Sequence, residues 1–402
     1  MGHEPMLTEN KAATRAARIY VKSADCDVSG LAALTALQVD IADYPFAADV
    51  ISNVLIYDCD KLRPLLTDAE NRQQIMAEWA DALLTGPGVL VLKRAEQDHA
   101  MIDRASDLFR AIITEQHLTG SGGGDHFAKP GANDRIWNSL EKHCIADPMG
   151  FAHYYRNPFL ALISEAWLGP NYQVTAQLNV VNPGGAAQSP HRDYHMGFQT
   201  AADIERFPIH VQLLSPLLTL QGAIAHVDAP IETGPTQLLP FSQLWPEGYL
   251  AMARPDVRDH FFANHVQVPL EKGDMLFFSP ALFHAAGTNK TTDMRRMVNL
   301  FQVGSAYGRS IESVNRTKMV KALYPVLRQG KKDDSLTQSQ IECVIAASAE
   351  GYSFPTNLDS DPPLGGMAPK TQAQLLQDAL DADWAPEALA AALDAQDLRK
   401  QP

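Results

Sequence analysis

Residues between Tyr172 and Val303 form a series of short apolar runs separated by Gly, Pro and Asp, and this pattern constrains the fold more than any other. The runs read YQVTAQLNVV, PIHVQLLSPLLTL, GAIAHV, TQLLP, HVQVPL, DMLFFSP and MVNLFQV. Several short strands at such spacing are typical of a sandwich or barrel. We therefore predict a β core over about residues 170–310.

The flanking regions have helical patterns instead. NRQQIMAEWADALL and HAMIDRASDLFRAIITEQ carry apolar residues at helical spacing and enclose the strand-like GPGVLVLK. Helical patterns return after Arg309, and a glycine-rich segment at 121–138 indicates a long loop. The prediction is a single domain over 1–402, mainly β with flanking helices: a helical N-terminal region over about 1–165, the core, and a helical C-terminal region over about 311–402.

Charge and cysteine content limit the partners. With 33 basic and 47 acidic residues the net charge is −14, which argues against binding to the nucleic-acid backbone. Four cysteines without a C-x-x-C pair favour free thiols in a reducing cytoplasm. No apolar run approaches the roughly 20 residues of a spanning helix, and no signal peptide begins the chain. We expect a cytoplasmic protein with a small-molecule substrate and no nucleic acid or membrane partner; no pattern indicates an oligomeric state.

The pattern His-x-Asp occurs twice, as His191-Arg192-Asp193 and as His226-Val227-Asp228. On a strand this spacing places both side chains on one face. Thirteen histidines and 47 acids would give this pattern once or twice by chance, so context must decide. The first pair opens the polar segment HRDYHMGF after a Pro/Gly-rich bend, where its side chains could enter a pocket. The second leads into a turn-rich connection and is predicted to make surface or turn hydrogen bonds.

A third element is the stretch EKGDMLFFSPALFHAAGTNKTTDMRRMVNLFQV, which predicts two neighbouring strands carrying His284 and Arg295. Two histidines and one carboxylate leave three positions open on a metal, which is the ligand set of non-haem Fe(II) oxygenases. A 2-oxo acid can take two of those positions and dioxygen the third. The far carboxylate of the 2-oxo acid then needs a cation, for which a planar guanidinium offers a two-pronged match.

These motifs together resemble the phytanoyl-CoA dioxygenase family of Fe(II)- and 2-oxoglutarate-dependent oxygenases. HRDYH resembles the His-x-Asp of the family, ETGPTQLLPFS its glycine-containing turn, and GDMLFFSPALFHAAGTNKTTDMR its string of Gly-Asp, distal His, Asn and Arg. The resemblance covers about residues 172–303. It implies a double-stranded β-helix, also called a jelly roll, with one Fe(II) in its mouth and with 2-oxoglutarate and O2 as co-substrates.

Carried over residue by residue, the resemblance makes His191, Asp193 and His284 the iron ligands. Arg295 lies eleven residues after the distal His, as in the family, and becomes the clamp for the 2-oxoglutarate carboxylate, whereas strand alternation places Arg296 outside. Further residues have two interpretations each: Gln177 and Asn179 bind the 2-oxo acid or pair with backbone, and His195 contacts the site or packs.

The implied function is hydroxylation of an unidentified small organic substrate with release of succinate and CO2. Asp193 fills the position that is small in related halogenating enzymes, which favours hydroxylation. One alternative is a cupin-type jelly-roll protein that binds metal or senses a ligand without oxygenase activity, and another is a zinc enzyme. Neither explains Arg295.

The sequence departs from the family at 240–243, where Pro-Phe-Ser-Gln replaces Pro-Gly-Ser-His, and this puts the shape of the loop in doubt. The glycine-rich segment over 121–138 is either a lid or an ordinary surface connection. Its candidate functional side chains are Asp125, His126, Lys129, Arg135 and Trp137.

Overall fold

The computed structural model describes residues 13–120, 131–363 and 368–401. Its strands are β1 Asp49–Ile51, β2 Val54–Asp58, β3 Val89–Lys93, β4 Asn133–Ile136, β5 Gln173–Val181, β6 Thr219–Ala225, β7 Gln237–Leu238, β8 Met275–Phe278, β9 His284–Ala285 and β10 Arg296–Gly304. Eight of them form one sheet in the order β1-β2-β3-β8-β6-β10-β5-β4, and β7 pairs with β9 opposite it. Isolated bridges such as Ala229 to Leu270 extend the small sheet. The two sheets enclose the predicted jelly-roll core.

Helices from both flanking regions pack on the outer face of the large sheet, and a second group packs around Trp245 and Phe283. The α-helices include Val28–Thr35, Cys59–Leu62, Ala69–Leu84, His99–Thr119, Ser139–Ala146, Pro148–Tyr155, Pro158–Leu168, Ala201–Ile204, Ile209–Leu214, Gly248–Ala251, Pro255–Asn264, Arg316–Lys332, Gln338–Ser348, Gln372–Asp381 and Pro386–Arg399. One hydrophobic cluster includes residues from Tyr44 to Leu393, so both flanking regions pack on the same core. Within the described ranges, no helix combines the length and apolar character needed to cross a membrane.

Alternation along the strands separates a helix-packed face from an inward face. On β10, Met297 and Phe301 join the cluster under the helices, whereas Val298 and Leu300 line a cavity between the sheets. This period of two follows from the pleat of a strand. The inward face of the large sheet therefore forms one wall of that cavity.

The structure corrects several local predictions. The run PIHVQLLSPLLTL forms the helix Ile209–Leu214 and a 3-10 turn before β6 begins at Thr219. A short apolar run fits helix and strand equally well, and here Gln212 is buried and donates to the Phe207 carbonyl, which stabilises the helical path. β1 and β2 add to the sheet from a region predicted as helical, and β4 lies within the predicted loop.

Two predicted features are present as expected. The four cysteines, Cys26, Cys59, Cys144 and Cys343, are all free. The Gly-Asp turn before β8 is held by the buried Asp274 carboxylate, which accepts from the Arg94 backbone N–H at 2.8 Å and from Lys93 Nζ at 2.6 Å. These contacts join β8 to β3, its neighbour in the sheet.

Candidate active site

A cavity of about 540 Å³ lies between the two sheets. β5, β6 and β10 line one wall with side chains that alternate inward, including Gln177 and Asn179 from β5 and Gln221 from β6. His191, Asp193 and His284 line the opposite side. The cavity is therefore the place where the predicted ligand residues meet the sheet.

The His191 segment is fixed by backbone pairing with β9. His191 N–H donates to the His284 carbonyl at 3.0 Å, and His284 N–H donates back to His191 at 3.1 Å. This pairing brings the predicted ligand side chains together, with one ligand atom from each of His191, Asp193 and His284 lying within 4.8 Å of the others. His191 Nε2 lies 3.6 Å from Asp193 Oδ1, and His284 Nε2 lies 3.4 Å from Asp193 Oδ2.

Both histidines are held in the tautomer that metal binding requires. His191 Nδ1 lies 2.8 Å from the Ser189 carbonyl oxygen, and His284 Nδ1 lies 2.9 Å from that of Leu282. A carbonyl only accepts, so each Nδ1 carries the proton and each Nε2 keeps its lone pair. Two imidazole nitrogens and a carboxylate then converge as a set suited to Fe(II).

Asp193 is held by partners that the sequence did not indicate. The Gln221 side-chain amide donates to Asp193 Oδ2, and the Tyr249 hydroxyl donates to the Asp193 backbone carbonyl at 2.9 Å. Burial raises the pKa of the Asp193 carboxyl, but the positive charge that His191 and His284 carry when protonated, together with the Gln221 hydrogen bond, outweighs burial and lowers that pKa well below its usual range. Gln221 could have been noticed only as a polar residue in the apolar run LTLQGAIA.

Arg192, which lies between His191 and Asp193, fixes the position of this segment. Arg192 is buried and donates to the backbone carbonyls of Ser242 and Trp245. Its guanidinium lies over the Phe283 ring at 4.5 Å. A Cβ on Gly248 would fall 1.8 Å from the Arg192 Cζ, so only glycine leaves room for this side chain.

The loop that departs from the family keeps its position through its neighbours. Phe241 adopts φ 65°, a left-handed conformation that glycine, the residue of the resembling motif, adopts with less strain. Ser242 Oγ accepts from the Phe283 N–H at 2.8 Å, and Gln243 donates to the Gly86 carbonyl at 2.8 Å. The substitution therefore adds backbone strain without detaching the loop from the core.

The two adjacent arginines occupy positions opposite to those predicted. Arg295 is exposed, precedes β10 and is not among the residues that line the cavity. Arg296 begins β10, is 5% exposed and lines the cavity on the same face as Val298. The prediction that Arg296 lies outside the site was wrong. The assumed strand register was displaced by one residue, and such a shift moves every side chain of a strand to the other face. Asn289, which donates to the Met294 carbonyl at 2.8 Å, helps to fix the turn that sets this register.

Arg296 is a buried cation without a matching acid. Its Nη1 donates to the Thr233 carbonyl at 3.3 Å, and no acidic side chain in the described ranges pairs with it. Burial lowers the pKa of the guanidinium to about 10, so it stays charged at neutral pH. Keeping a charge in such a place is costly unless an anion joins it.

The polar residues predicted on β5 also border the cavity. Asn179 is 7% exposed, and its Oδ1 has no hydrogen-bond partner among the described residues. Gln177 lies against Glu312; burial raises the pKa of the Glu312 carboxyl, although Gln177 and the Asn138 N–H act to lower it. Both predicted residues are thus available to a ligand, and their roles stay predictions.

The remaining candidates divide between the cavity and its surroundings. His195 Nδ1 lies 3.0 Å from Ser215 Oγ, and His195 is not among the cavity-lining residues. Arg135 and Trp137 line the cavity, with the guanidinium 4.7 Å from the ring centroid. The other candidates of the predicted lid, Asp125, His126 and Lys129, lie outside the described residues.

The second His-x-Asp pair does not form a metal site. Asp228 accepts from the Lys272 backbone N–H at 2.9 Å, which is the turn hydrogen bond expected. His226 is buried under the helices, where Nδ1 lies 2.8 Å from Ser106 Oγ and Nε2 2.8 Å from the Tyr154 hydroxyl. The prediction of a surface position for His226 was wrong, because the residue continues β6 on its helix-packed face.

Because His226 is buried, we expect the protein to lose stability in acid. Burial lowers the pKa of His226 to about 3 and that of nearby His143 to about 4. Both stay neutral when folded while the unfolded chain takes up protons below about pH 6.5, so the free energy of unfolding falls between pH 6.5 and those folded pKa values. We expect each to remove about 2 kcal/mol between pH 7 and pH 5.

Urea denaturation at both pH values would test this. His226→Gln should lose about 2 kcal/mol less than the wild type over the interval, whereas replacing the exposed His210 with Gln should change nothing. Equal pH dependence in His226→Gln and wild type would contradict the prediction.

The fold and the cavity together define a jelly-roll protein with a His-Asp-His group and a buried arginine facing it. The family model for phytanoyl-CoA dioxygenase (PhyH) matches residues 71–297, more than half of the chain. The protein therefore belongs to the phytanoyl-CoA dioxygenase family.

Curated relatives are fungal dioxygenases. The chain is 31% identical to the dioxygenase trt7 of Aspergillus terreus over 154 residues, which are 38% of this chain and 43% of the relative. It is 26% identical to the dioxygenase andF of Emericella variicolor over 148 residues, 35% of this chain and 45% of the relative. The matches thus span less than half the length of these relatives.

Solved structures with a similar fold include two enzymes of nogalamycin biosynthesis. The non-heme alpha ketoglutarate dependent epimerase SnoN is 17% identical, with a TM-score of 0.42, over 60% of this chain and 85% of its own. The carbocyclase SnoK is 20% identical, with a TM-score of 0.39, over 56% and 83%.

Proposed function

We propose that the protein is an Fe(II)- and 2-oxoglutarate-dependent dioxygenase that hydroxylates a small organic substrate and releases succinate and CO2. The observation that carries this proposal is that Arg296 is buried in the same cavity as His191, Asp193 and His284, and that no acidic side chain among the described residues pairs with it. A metal site alone needs no such cation. A metal that shares its cavity with a dicarboxylate does.

His191, Asp193 and His284 are proposed to hold the iron through two Nε2 atoms and a carboxylate oxygen. The set leaves open positions for a chelating 2-oxo acid and for dioxygen. Bound there, Fe(II) would supply the activation of dioxygen that attack on an unactivated C–H bond requires. The chain contributes the tautomers of both histidines, fixed by Ser189 and Leu282, and the orientation of Asp193, fixed by Gln221.

Arg296 is proposed to bind the distal carboxylate of 2-oxoglutarate through its two-pronged guanidinium. Arg296 thereby takes the role that the family resemblance predicted for Arg295. Gln177 and Asn179 extend the polar wall beside it and are proposed as further hydrogen-bond partners of the co-substrate.

In the proposed reaction one C–H bond of the substrate becomes C–OH. 2-Oxoglutarate loses CO2 and becomes succinate, with one atom of O2 entering succinate and the other the alcohol. Asp193 occupies the position that a halide would need, so oxygen transfer is favoured over halogenation.

The alternative of a cupin-type metal-binding protein without oxygenase activity explains Arg296 less well. A structural metal requires its ligands and their outer-sphere partners, but no unpaired guanidinium facing it. Burying this charge costs free energy that a bound carboxylate would offset, and this is the reason to prefer the dioxygenase.

Turnover with isotopically labelled oxygen would test the proposal. With Fe(II), 2-oxoglutarate, ¹⁸O2 and an accepted substrate, we expect succinate and hydroxylated product in equal amounts, each with one labelled atom, and no effect of chloride. The variant Arg296→Gln should lose both products together. A chlorinated product from the wild type would overturn the assignment as a hydroxylase, and metal binding without any decarboxylation would favour the cupin alternative.

A further inference from the structure

The cavity extends along β10 from Arg296 to Gln302, which lies level with the His-Asp-His group. The side chains of β10 that line it are, in order, Arg296, Val298, Leu300 and Gln302. Gln302 pairs directly with Gln221, the residue that donates to Asp193. Since the co-substrate must reach from the His-Asp-His group to Arg296, it occupies the Arg296 end of the cavity. The Gln302 end is left for the primary substrate.

Beside the glutamines Gln177, Gln221 and Gln302, apolar side chains line the Gln302 end of the cavity. Ile311 is one of the residues that line the cavity. Its neighbour Ser310 donates to Gln173 Oε1 at 3.1 Å, and Gln173 pairs with Gly304 at the end of β10, so Ile311 lies at the Gln302 end. Phe198 lines the cavity from the segment that follows Asp193 and is 59% exposed. Trp137 follows β4 next to Gln177 on β5. The body of a bound molecule would therefore contact rings and aliphatic side chains.

The arginines that line the cavity already have contacts within the protein or a proposed ligand, and the Arg135 guanidinium lies over the Trp137 ring at 4.7 Å. Among the described cavity-lining residues outside the His-Asp-His group, the ionisable ones are Arg135, Arg192 and Arg296. Arg192 is bound to backbone carbonyls, and the charge of Arg135 acts on Glu312, whose pKa it lowers. Arg296 is reserved for the co-substrate. An ionic group on the substrate would lose its hydration at this end without gaining a counter-ion.

The amide oxygens of the paired residues Gln302 and Gln221 are buried without hydrogen-bond partners among the described residues, and Gln221 already donates to Asp193. Gln302 is 7% exposed, and its Oε1 is buried without a hydrogen-bond partner among the described residues. Buried polar atoms are normally satisfied, so an unsatisfied one beside an open cavity indicates a ligand atom. A hydroxyl suits this position because it donates to the amide oxygen and carries no charge.

Building on the proposed function, we infer that the primary substrate is an uncharged, mainly apolar molecule with a hydroxyl group that Gln302 binds. Gln302 is then a specificity-determining residue, since its hydrogen bond to the hydroxyl fixes which carbon of the substrate faces the His-Asp-His group. Loss of such a hydrogen bond leaves a buried polar atom unpaired, which commonly weakens binding by about tenfold.

Three probes with one carbon cage would test this: 1-adamantanol, 1-methoxyadamantane and 1-adamantanecarboxylate. They would be titrated anaerobically into the protein loaded with Fe(II) and 2-oxoglutarate, with the visible band of the chelated 2-oxo acid as the reporter. We expect the alcohol to bind about tenfold more tightly than the ether or the carboxylate. Gln302→Leu should reduce alcohol binding to the level of the ether and leave the ether unchanged.

The matched control is Gln199→Leu, an exposed glutamine outside the cavity, which should bind all three probes as the wild type does. Tighter binding of the carboxylate, an unchanged preference in Gln302→Leu, or no response to any probe at millimolar concentration would each overturn the inference. A reporter band that never forms would instead remove the proposed function, and with it this inference, before a probe is added.

Discussion

Anaerobic titration with Fe(II) is expected to show one metal ion bound per chain, and alanine at His191, Asp193 or His284 is expected to abolish that binding. Each side chain contributes one of three converging ligand atoms within 4.8 Å. Changes to outer-sphere partners alone commonly cost about 10- to 100-fold in metal affinity, so loss of a ligand should cost more. Isothermal calorimetry, and the charge-transfer band on adding 2-oxoglutarate, would measure the effect.

The matched control comes from the second His-x-Asp pair. His226→Gln removes an imidazole that lies under the helices and away from the cavity, so iron binding and the band should both survive. The exposed His210→Gln serves as a second control in case the buried substitution impairs folding. Loss of the band in His226→Gln with retention in His191→Ala would exchange the roles of the two pairs.

Arg296→Gln is expected to weaken 2-oxoglutarate binding by roughly tenfold or more while iron still binds. A charge-assisted hydrogen bond contributes about 1.5 to 3 kcal/mol, and the two-pronged contact is lost. Arg295→Gln, on the neighbouring exposed residue, should bind the co-substrate as the wild type does. Titration of the charge-transfer band would give both affinities.

A second measurement on the same position separates function from structure. Arg296→Met removes a buried charge that has no acidic partner in the part of the chain that the structure describes, so the ligand-free protein should become more stable in urea denaturation even as it loses 2-oxoglutarate binding. A structural arginine would show the opposite change in stability. If Arg295→Gln reproduced the binding defect and Arg296→Gln did not, the register of β10 would be wrong.

The order of residues within short segments was sufficient to predict the β core and the His-Asp-His group. The runs YQVTAQLNVV and DMLFFSP became β5 and β8, because β-branched and aromatic residues between turn residues favour strands whatever their partners. His191, Asp193 and His284 were predicted from the resemblance that the ordered motifs carry, because the His-x-Asp spacing alone did not separate the two pairs, and the structure brings their side chains together. These signals lie within short segments, where each residue type already limits the possible chemistry.

What the tertiary structure alone decided depends on pairing between distant segments. Whether Arg295 or Arg296 faces the cavity depends on the residue at which β10 begins, and that is set by pairing of Arg296 with Val181 on β5. Gln221 became a partner of Asp193 only because β6 and the His191 segment meet across the cavity. A one-residue slip reverses every side chain of a strand, so spacing along the chain cannot fix a face that the neighbouring strands determine.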